Sequence, residues 1–448
     1  MGGGAVAEWK AEQPARGIAA AMGKTGSAAL ASALLAAAGT KMIAVTLGPA
    51  WIGLWGTLTQ TRQTALVAAT ANGQTALVQG INALDRRERA EFFRTALVLI
   101  GAATLAIAAV MIFARESVAS AAGLSSGSGA LIAWLSIGVI FGSAAVVLTA
   151  LLNAFGEIGK LAWLQLAGPA AIAVMAAGGV NLVAMLVIGA GVSAGSAIFL
   201  LRGFWGILGS WIQAPGSWFS FAAARRFFSI SGAMALTGFI ANAGLVAVRA
   251  RIIRKAGLAT AGNFDAAWSI SMNQVTLVLA SMQTYYMPEL SRARSDRERR
   301  EHVTGVMRMA ILASAPIIAA IAMLKPVVIL VLYSGKFAGA ADFLRWTLVG
   351  DYLKVTSWVL AIPMIASADM RTFLAVDTLA QVVFLGSSWA LAASRGPAEG
   401  AAMGFAACYA VNLVVCYGYA RRKLHWRFGK IGWLWAAGMM LVCAVNFR

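Results

Sequence analysis

Eight charged side chains lie within otherwise apolar stretches of this 448-residue sequence. If those stretches cross a membrane, each charge at the bilayer centre costs about 2.5 to 3.5 kcal/mol, so such residues usually face a protein interior and serve a function. Bases outnumber acids by five to three, and a cavity lined in this way would attract an anion. The bases are Lys41, Arg62, Arg249, Arg251 and Lys354, and the acids are Asp265, Asp351 and Asp377.

Asp351 and Lys354 stand three residues apart in "LVGDYLKVTSW", so on a helix they share one face. Two interpretations follow from this spacing. The residues form a fixed internal ion pair, or Lys354 contacts an anion while Asp351 orients it or carries a proton. We favour the second interpretation because the surrounding charges are mostly basic.

For other charged residues in the apolar segments, a structural role is an alternative to substrate contact. Lys41, Arg249 and Arg251 can extend along their helices toward the membrane surface. Arg62 and Asp377 fit a structural and a functional role equally well. We nevertheless predict that the five bases bind an anionic substrate, and that the three acids orient them or couple transport to protons or sodium.

Composition places these charges in a membrane protein. The chain is 60% hydrophobic and 12% charged, whereas a soluble protein carries about 25% charged residues. Apolar stretches of about 18 or more residues recur, and each can cross a hydrocarbon core of about 30 Å as a helix. The sequence therefore predicts an all-α polytopic membrane protein with about twelve transmembrane helices, and a shorter thirteenth over residues 431–445 is left open.

The net charge of +19 reflects topology rather than nucleic-acid binding. With a cytoplasmic N-terminus, the main basic segments fall on the cytoplasmic side, which is the positive-inside pattern. These segments are 86–94, 202–226, 292–300 and 421–430. The first helix lacks the pattern of a cleaved signal peptide, so we expect it to be retained. We expect a multi-pass protein with a cytoplasmic N-terminus and no nucleic-acid partner.

Motifs for catalysis, nucleotide hydrolysis and metal binding are not found. "GIAAAMGKTGS" has one residue too many before Gly-Lys-Thr for a Walker loop, and no strand precedes it. Cys408, Cys416 and Cys443 lie in apolar segments without paired spacing, and the two histidines are too far apart for a metal site. We expect neither an enzyme nor a protein with a cofactor or a metal.

The chain contains an internal duplication. Gly48 and Gly53 match Gly257 and Gly262 at an offset of 209, while "DRRERAEFFRTALVL" matches "DRERREHVTGVMRMA" at an offset of 211. Each half holds six predicted helices, so both halves insert the same way up. This is the parallel repeat of transporters that rock two bundles about a central site.

The duplication divides the chain into two predicted lobes. Arg249 falls opposite Thr40, beside Lys41, so a phosphate group could be held between bases of both halves. The linker is either a helix on the membrane surface or a plain connection. The predicted parts are a cytoplasmic N-terminal segment 1–26, an N-lobe 27–202 with helices 1 to 6, a cytoplasmic linker 203–228, a C-lobe 229–423 with helices 7 to 12, and a tail 424–448.

Several of these segments resemble one known family. "GPAWIGLWG", "VRARII", "AGNFDAAWSIS", "TYYMPELSR" and "LVGDYLKVTSWVLA" are similar to segments of the Wzx-type flippases of O-antigen and enterobacterial common antigen synthesis. These flippases belong to the multidrug/oligosaccharidyl-lipid/polysaccharide exporter (MOP) superfamily. The resemblance covers the chain from about Lys24 to Lys423.

The resemblance implies a fold, a substrate and site residues. It implies two six-helix lobes and an undecaprenyl-pyrophosphate-linked oligosaccharide that is moved from the cytoplasmic to the periplasmic leaflet of the bacterial inner membrane. Arg249, Asp351 and Lys354 match charged positions of the family. Asp377 stands where relatives often have Glu, whereas Asp265 departs from a position where several have Gln.

Partners and rival functions also follow. The resemblance implies contact with the lipid-linked glycan and membrane lipid, and with a polysaccharide polymerase and a chain-length regulator. One alternative is a multidrug or other small-molecule secondary transporter, although a cation exporter should line its cavity with acids. Another is a non-transporting membrane scaffold for glycan assembly enzymes, whose intramembrane charges could be replaced by apolar residues without loss.

Overall fold

The computed structural model describes residues 15–293, 295–367 and 369–447. Over that part of the chain the structure consists of helices and loops, without a β-strand. The beginning of the predicted N-terminal segment, residues 1–14, lies outside the described residues. In chain order the helices are α1 Ala15–Thr46, α2 Pro49–Thr70, α3 Gln74–Ala83, α4 Arg86–Phe113, α5 Arg115–Ala121, α6 Gly129–Ala154, α7 Ile158–Ala177, α8 Leu182–Leu200, α9 Trp205–Ile212, α10 Phe221–Arg292, α11 Asp296–Met323, α12 Lys325–Leu332, α13 Ala340–Ala366, α14 Met370–Arg395, α15 Pro397–Lys423 and α16 Ile431–Asn446.

Helices that are long and apolar enough to cross a membrane make up much of the described chain. Nine segments fit that description. One of them is α10, which Gly257 (φ 83°, ψ 169°) divides into two arms, here called α10a (221–256) and α10b (258–292). The two arms of α10, the other eight segments and the predicted first two helices, α1 and α2, which do not fit that description themselves, make up the predicted twelve. The all-α polytopic fold is confirmed. The segment 431–445, which the sequence left open as a thirteenth helix, lies in α16, whose 16 residues extend about 24 Å.

Contacts group the described chain into two compact units. Unit 1 comprises residues up to 39, 69–108 and 134–232, and unit 2 comprises 40–68, 109–133 and 233–448. Unit 2 therefore combines parts of helices from both sequence repeats. The predicted lobes were derived from the repeat and the helix count instead of from contacts, and their boundaries stay a prediction.

The predicted linker packs within unit 1. Arg94 on α4 is buried, and its Nη1 donates hydrogen bonds to the carbonyl oxygens of Ala214 at 2.6 Å and Gly216 at 3.3 Å. Trp211 of α9 is buried in the same core, where its ring centroid lies 5.4 Å from that of Phe93. The linker is thus fixed to α4 by side-chain contacts, while its side of the membrane stays a prediction.

Glycines that the duplication matches occupy equivalent positions in unit 2. Gly48 and Gly257 have φ of +85° and +83°, a conformation that glycine adopts without steric cost. A Cβ added to Gly53 would lie 2.9 Å from Gly262 N, and one added to Gly262 would lie 3.0 Å from Gly53 N. We call this close approach of α2 and α10b the glycine crossing. It relates the two repeats by an approximate two-fold symmetry.

Gly262→Ala should destabilise the protein at the glycine crossing. The new Cβ would overlap the carbonyl oxygen of Pro49, which is backbone and cannot rotate away. Overpacking of this kind costs about 1–3 kcal/mol, which we expect as a lower midpoint of thermal unfolding in detergent. Gly386→Ala on α14 is the matched control, because its Cβ meets no atom within 4 Å. Equal midpoints for the two variants would contradict the crossing.

The most enclosed of the candidate spans is α13. Of its 27 residues, 18 are buried, because α11, α14, α15 and α16 all pack against it. A helix surrounded in this way is apolar on nearly all sides. The charged residues Asp351 and Lys354 therefore lie within protein instead of facing lipid.

Candidate functional site

A cavity of about 190 Å³ lies within unit 2. Six helical segments contribute to its wall: α2, α10a, α10b, α13, α14 and α15. Among the described residues that line it, the amide and charged side chains are three carboxamides and one ammonium, and four aromatic side chains line it as well. The polar group is Gln60, Asn242, Gln381 and Lys354, and the aromatic group is Trp268, Phe384, Phe405 and Tyr409.

Lys354 provides the positive charge of this cavity. Its Nζ lies 5.3 Å from the ring centroid of Tyr409 and 5.7 Å from that of Phe405. It also lies 3.5 Å from the sulfur of Met272. No carboxylate oxygen in the described part of the chain is within 4.0 Å of it. Ring faces stabilise a cation only in part, so Lys354 retains capacity to bind an anion.

Asp351 is fully buried one helical turn away from Lys354. Ser271 Oγ donates a hydrogen bond to its Oδ1 at 2.7 Å, and Gln274 Nε2 donates to its Oδ2 at 2.6 Å. Both donors lie on α10b. The direct ion pair that the three-residue spacing allows is therefore not formed, and the carboxyl group instead links α13 to α10b through neutral donors.

Arg249 and Asp265 form a buried ion pair across the break in α10. Arg249 Nε and Nη2 lie 2.6 and 2.5 Å from Asp265 Oδ1, and both side chains are almost completely buried. Asp265 Oδ2 lies against Gly56 and has no hydrogen-bond partner among the described residues. Most of the charge of Arg249 is compensated within the protein before any substrate binds.

A chain of hydrogen bonds connects this ion pair to the cavity. Arg249 Nη1 donates to Gln60 Oε1 at 2.9 Å, and Gln60 Nε2 donates to Asn242 Oδ1 at 2.8 Å. Both amides line the cavity wall. Arg249 therefore supports the orientation of two wall residues, whereas its own side chain is not part of the cavity lining.

The structure places the remaining predicted bases outside the cavity wall. Lys41 Nζ donates to the carbonyl oxygen of Val331 at 2.5 Å. The guanidinium of Arg251 lies 4.9 Å from the ring centroid of Trp389. Arg62 on α2 is partly buried, and its Nε has no partner among the described residues. Substrate contact by these three bases stays a prediction.

Asp377 lies near the cavity on α14. It is partly buried and precedes Gln381 of the cavity wall by four residues, which puts both on one helix face. A role of Asp377 in ion coupling or orientation stays a prediction. Within the described ranges, no group of three or more His, Cys, Asp or Glu side chains could hold a metal ion.

Sequence reasoning missed the uncharged part of the wall. It selected side chains by charge, so Gln60, Asn242 and Gln381 were not considered, although each is a carboxamide in an apolar segment. The aromatic residues carried no comparable signal, because Trp268 and Tyr409 resemble ordinary membrane-helix residues. The amides could have been found by asking which intramembrane polar groups need a partner.

Comparison with known sequences identifies relatives in polysaccharide biosynthesis. Residues 47–342 match the profile of a family described as polysaccharide biosynthesis protein. The chain is 30% identical over 150 residues to the lipid III flippase of Escherichia coli (strain K12). The aligned segment covers 34% of this chain and 36% of the relative. The lipid III flippase of Shigella flexneri matches to the same extent. The chain thus aligns with only 36% of the length of these curated relatives.

Solved structures with a similar fold belong to transporters. The inward-facing conformation of a multidrug resistance MATE family transporter of the MOP superfamily superposes with a TM-score of 0.72 at 15% identity, covering 88% of this chain and 94% of that chain. The lipid II flippase MurJ in an inward closed conformation gives 0.72 at 12% identity, covering 94% and 97%. A MOP superfamily transporter from Pyrococcus furiosus gives 0.64 at 15% identity, covering 92% and 99%. At these identities the likeness shows the fold.

Proposed function

Because this chain belongs to the polysaccharide biosynthesis protein family, we propose that it is a flippase for lipid-linked oligosaccharides. Its substrate in this proposal is an undecaprenyl-pyrophosphate-linked repeat unit of the O-antigen or enterobacterial common antigen type. Alternating access carries the head group from the cytoplasmic to the periplasmic leaflet of the bacterial inner membrane. The names of the lipid III flippase relatives support this class of substrate.

The observation that carries the proposal is the uncompensated ammonium of Lys354 in a cavity within a membrane fold. A lysine without a carboxylate partner is costly inside a membrane protein, and an anionic group on the substrate would remove that cost. The low-dielectric wall strengthens the attraction. A pyrophosphate or an acidic sugar can supply the negative charge.

The rest of the cavity wall suits a sugar. Carboxamides offer both donors and acceptors, which match the hydroxyl and amide groups of a saccharide. Aromatic rings such as Trp268 and Tyr409 present flat apolar faces for the C–H faces of a pyranose ring. A purely apolar drug would not suit this cavity, because each of the three carboxamides would lose its hydration on binding and gain no hydrogen bond in return.

A secondary multidrug transporter is the second candidate, since the fold is shared with such transporters. Lys354 is the charged side chain among the described residues of the cavity lining, and its positive charge disfavours the cationic substrates of that class. A non-transporting scaffold that recruits glycan assembly enzymes is a third candidate. A polysaccharide polymerase and a chain-length regulator are further proposed partners of the flippase.

Ion coupling belongs to the same proposal. Asp351 is the acid best placed to carry a proton, since both of its oxygens are held by neutral donors instead of by a cation. A membrane potential adds about 2.3 kcal/mol per charge per 100 mV, and a negative interior favours outward movement of an anion. A head group with about two negative charges would gain roughly 4 to 5 kcal/mol at 100 mV.

Transport in proteoliposomes tests both the substrate and the coupling. We expect the full-length chain to accelerate the transbilayer movement of a fluorescent polyprenyl-pyrophosphate-linked saccharide, measured with an impermeant quencher. We expect an imposed proton gradient to change the rate for the wild type but not for Asp351→Asn, which keeps the side-chain shape but cannot ionise.

Three outcomes would contradict these expectations. A rate equal to that of protein-free vesicles would overturn the flippase proposal, and export of a cationic dye instead would favour the multidrug alternative. An unchanged proton response in Asp351→Asn would remove that residue from coupling. Indifference of the wild type to potential and to ion gradients would overturn the energetic account.

A further inference from the structure

A second concave surface lies in unit 1, between α7 and α8. It is a groove of about 660 Å³ that is separate from the site described above. Trp163 and Phe199 line it, together with the small residues Ala167, Ala170 and Gly195. Trp163 is 72% exposed and Phe199 is 61% exposed. The groove is therefore open to the surroundings of the helices, which in a membrane are lipid chains.

Positively charged side chains lie beside one end of the groove. The guanidinium of Arg202, two residues after the end of α8, lies 4.4 Å from the ring centroid of Phe199. Lys160 in the first turn of α7 lies 5.1 Å from the ring centroid of Phe204 and 3.1 Å from a carboxylate oxygen of Glu157. The opposite ends of both helices meet at residues 178–181, which are uncharged.

Arg202 is the free cation of this pair. Lys160 is neutralised by Glu157, whereas no carboxylate oxygen among the described residues lies within 4.0 Å of Arg202. An exposed guanidinium stacked on the ring that forms the groove wall can bind a phosphate oxygen directly. The surface thus combines an apolar groove with an anion-binding guanidinium that lies on one of the rings lining it.

We propose that this groove binds the polyprenyl chain of the anionic lipid carrier, with the phosphate next to the chain held by Arg202. The inference rests on the proposed function and deepens it, because it assigns the lipid part of the substrate to a surface of its own. A methyl-branched isoprenoid chain fits an apolar groove that is lined by both bulky rings and small residues. A volume of this size falls within the range of ligand-binding pockets, about 300 to 1,000 Å³.

The charge arrangement favours a lipid with its anionic group directly on the chain. In a polyprenyl phosphate the phosphate is bonded to the first isoprene unit, so a chain in the groove brings the phosphate to Arg202. In a glycerophospholipid the glycerol and two ester groups separate the chains from the phosphate. The groove should therefore prefer the carrier over phosphatidic acid, whose phosphate is a monoester like that of the carrier and has a similar charge.

Native mass spectrometry of the full-length protein tests this preference with two probes, undecaprenyl phosphate and phosphatidic acid. We expect the wild type to bind undecaprenyl phosphate at least tenfold more tightly than phosphatidic acid. Ala167→Trp, which fills the groove, and Arg202→Gln, which removes the charge, should each weaken binding of undecaprenyl phosphate about tenfold. Arg202→Lys should retain most of the affinity.

Val174→Trp is the matched control for the filled groove. Val174 is as exposed as Trp163 on the same helix but is not part of the groove lining. The affinity of Val174→Trp for undecaprenyl phosphate should therefore equal that of the wild type. Equal affinity of the wild type for both lipids would identify a site for bulk phospholipid and overturn the proposal. Wild-type affinity in both Ala167→Trp and Arg202→Gln would overturn it as well.

The sugar-free probe separates this inference from the proposed function. Undecaprenyl phosphate carries no saccharide, and its binding in the groove should be weakened by Arg202→Gln but not by Lys354→Gln. Arg202→Gln is exposed and should fold even if Ala167→Trp does not. If the protein binds undecaprenyl phosphate in the groove but moves no lipid-linked saccharide, the groove proposal stands and the flippase proposal is overturned. The opposite result would reject the groove alone.

Discussion

Lys354→Gln should abolish most of the transport of a lipid-linked saccharide. The substitution keeps a polar side chain of similar length but removes the positive charge that Lys354 gives to the described part of the cavity wall. Loss of a desolvated charge contact costs about 2–5 kcal/mol, which corresponds to a decrease in affinity of about 30-fold or more. The decrease should be measured as a higher substrate concentration at half-maximal flipping in proteoliposomes, and as lost glycan display in cells that lack their own flippase.

Two further substitutions separate loss of charge from loss of fold. Lys354→Arg keeps the charge and should retain part of the activity, because a guanidinium also binds phosphate and stacks on Tyr409 and Phe405. Lys423→Gln removes a lysine at the exposed end of α15 and should transport like the wild type. Full transport by Lys354→Gln with normal thermal stability would remove the lysine from substrate binding.

The helices could be predicted because their cause is local. A run of apolar residues in lipid must close its own backbone hydrogen bonds, so the crossings follow from hydropathy without any tertiary information. The duplication added the match of Gly48 with Gly257, and both glycines adopt a positive φ. The glycine crossing could not be predicted, because a matched pair of glycines does not show that the two positions contact each other.

The candidate site was predicted only in part. Lys354 was selected because an isolated charge in an apolar helix is conspicuous, and it does line a cavity. Its freedom from Asp351 could not be predicted, because spacing shows only that the two residues share a helix face. The donors that satisfy Asp351 are Ser271 and Gln274 on another segment, and pairing between distant segments depends on packing.

The contact between Arg249 and Asp265 shows the same limit most clearly. On one continuous helix, 16 residues would separate the two Cα atoms by about 24 Å. The break at Gly257 lies eight residues from each of them and folds α10b back along α10a. From the sequence, Arg249 was predicted to bind the substrate, and the role of Asp265 was in doubt. An ion pair between the two residues was not predicted, because they stand 16 residues apart in an apolar segment.

Removal of one partner from the Arg249–Asp265 pair should be more damaging than removal of both. Asp265→Leu leaves the guanidinium buried without a counter-charge, and Arg249→Met leaves the carboxylate in the same condition. Breaking a buried pair in this way costs about 3–5 kcal/mol, whereas replacing both charges by apolar residues is often nearly neutral. We expect the midpoint of thermal unfolding to fall strongly in each single variant and to recover in the double variant.

The double variant also separates the two roles of Arg249. If Arg249 contacts the substrate, the double variant should be stable but inactive. If Arg249 acts only by holding Gln60 and Asn242 in the cavity wall, transport should persist with weakened substrate affinity. Arg251→Met is the matched control, because that guanidinium lies 4.9 Å from the ring centroid of Trp389 and forms no ion pair with the described residues. The unfolding midpoint of this variant should therefore change little. Single variants as stable as the double variant would show that the pair does not hold the arms of α10 together.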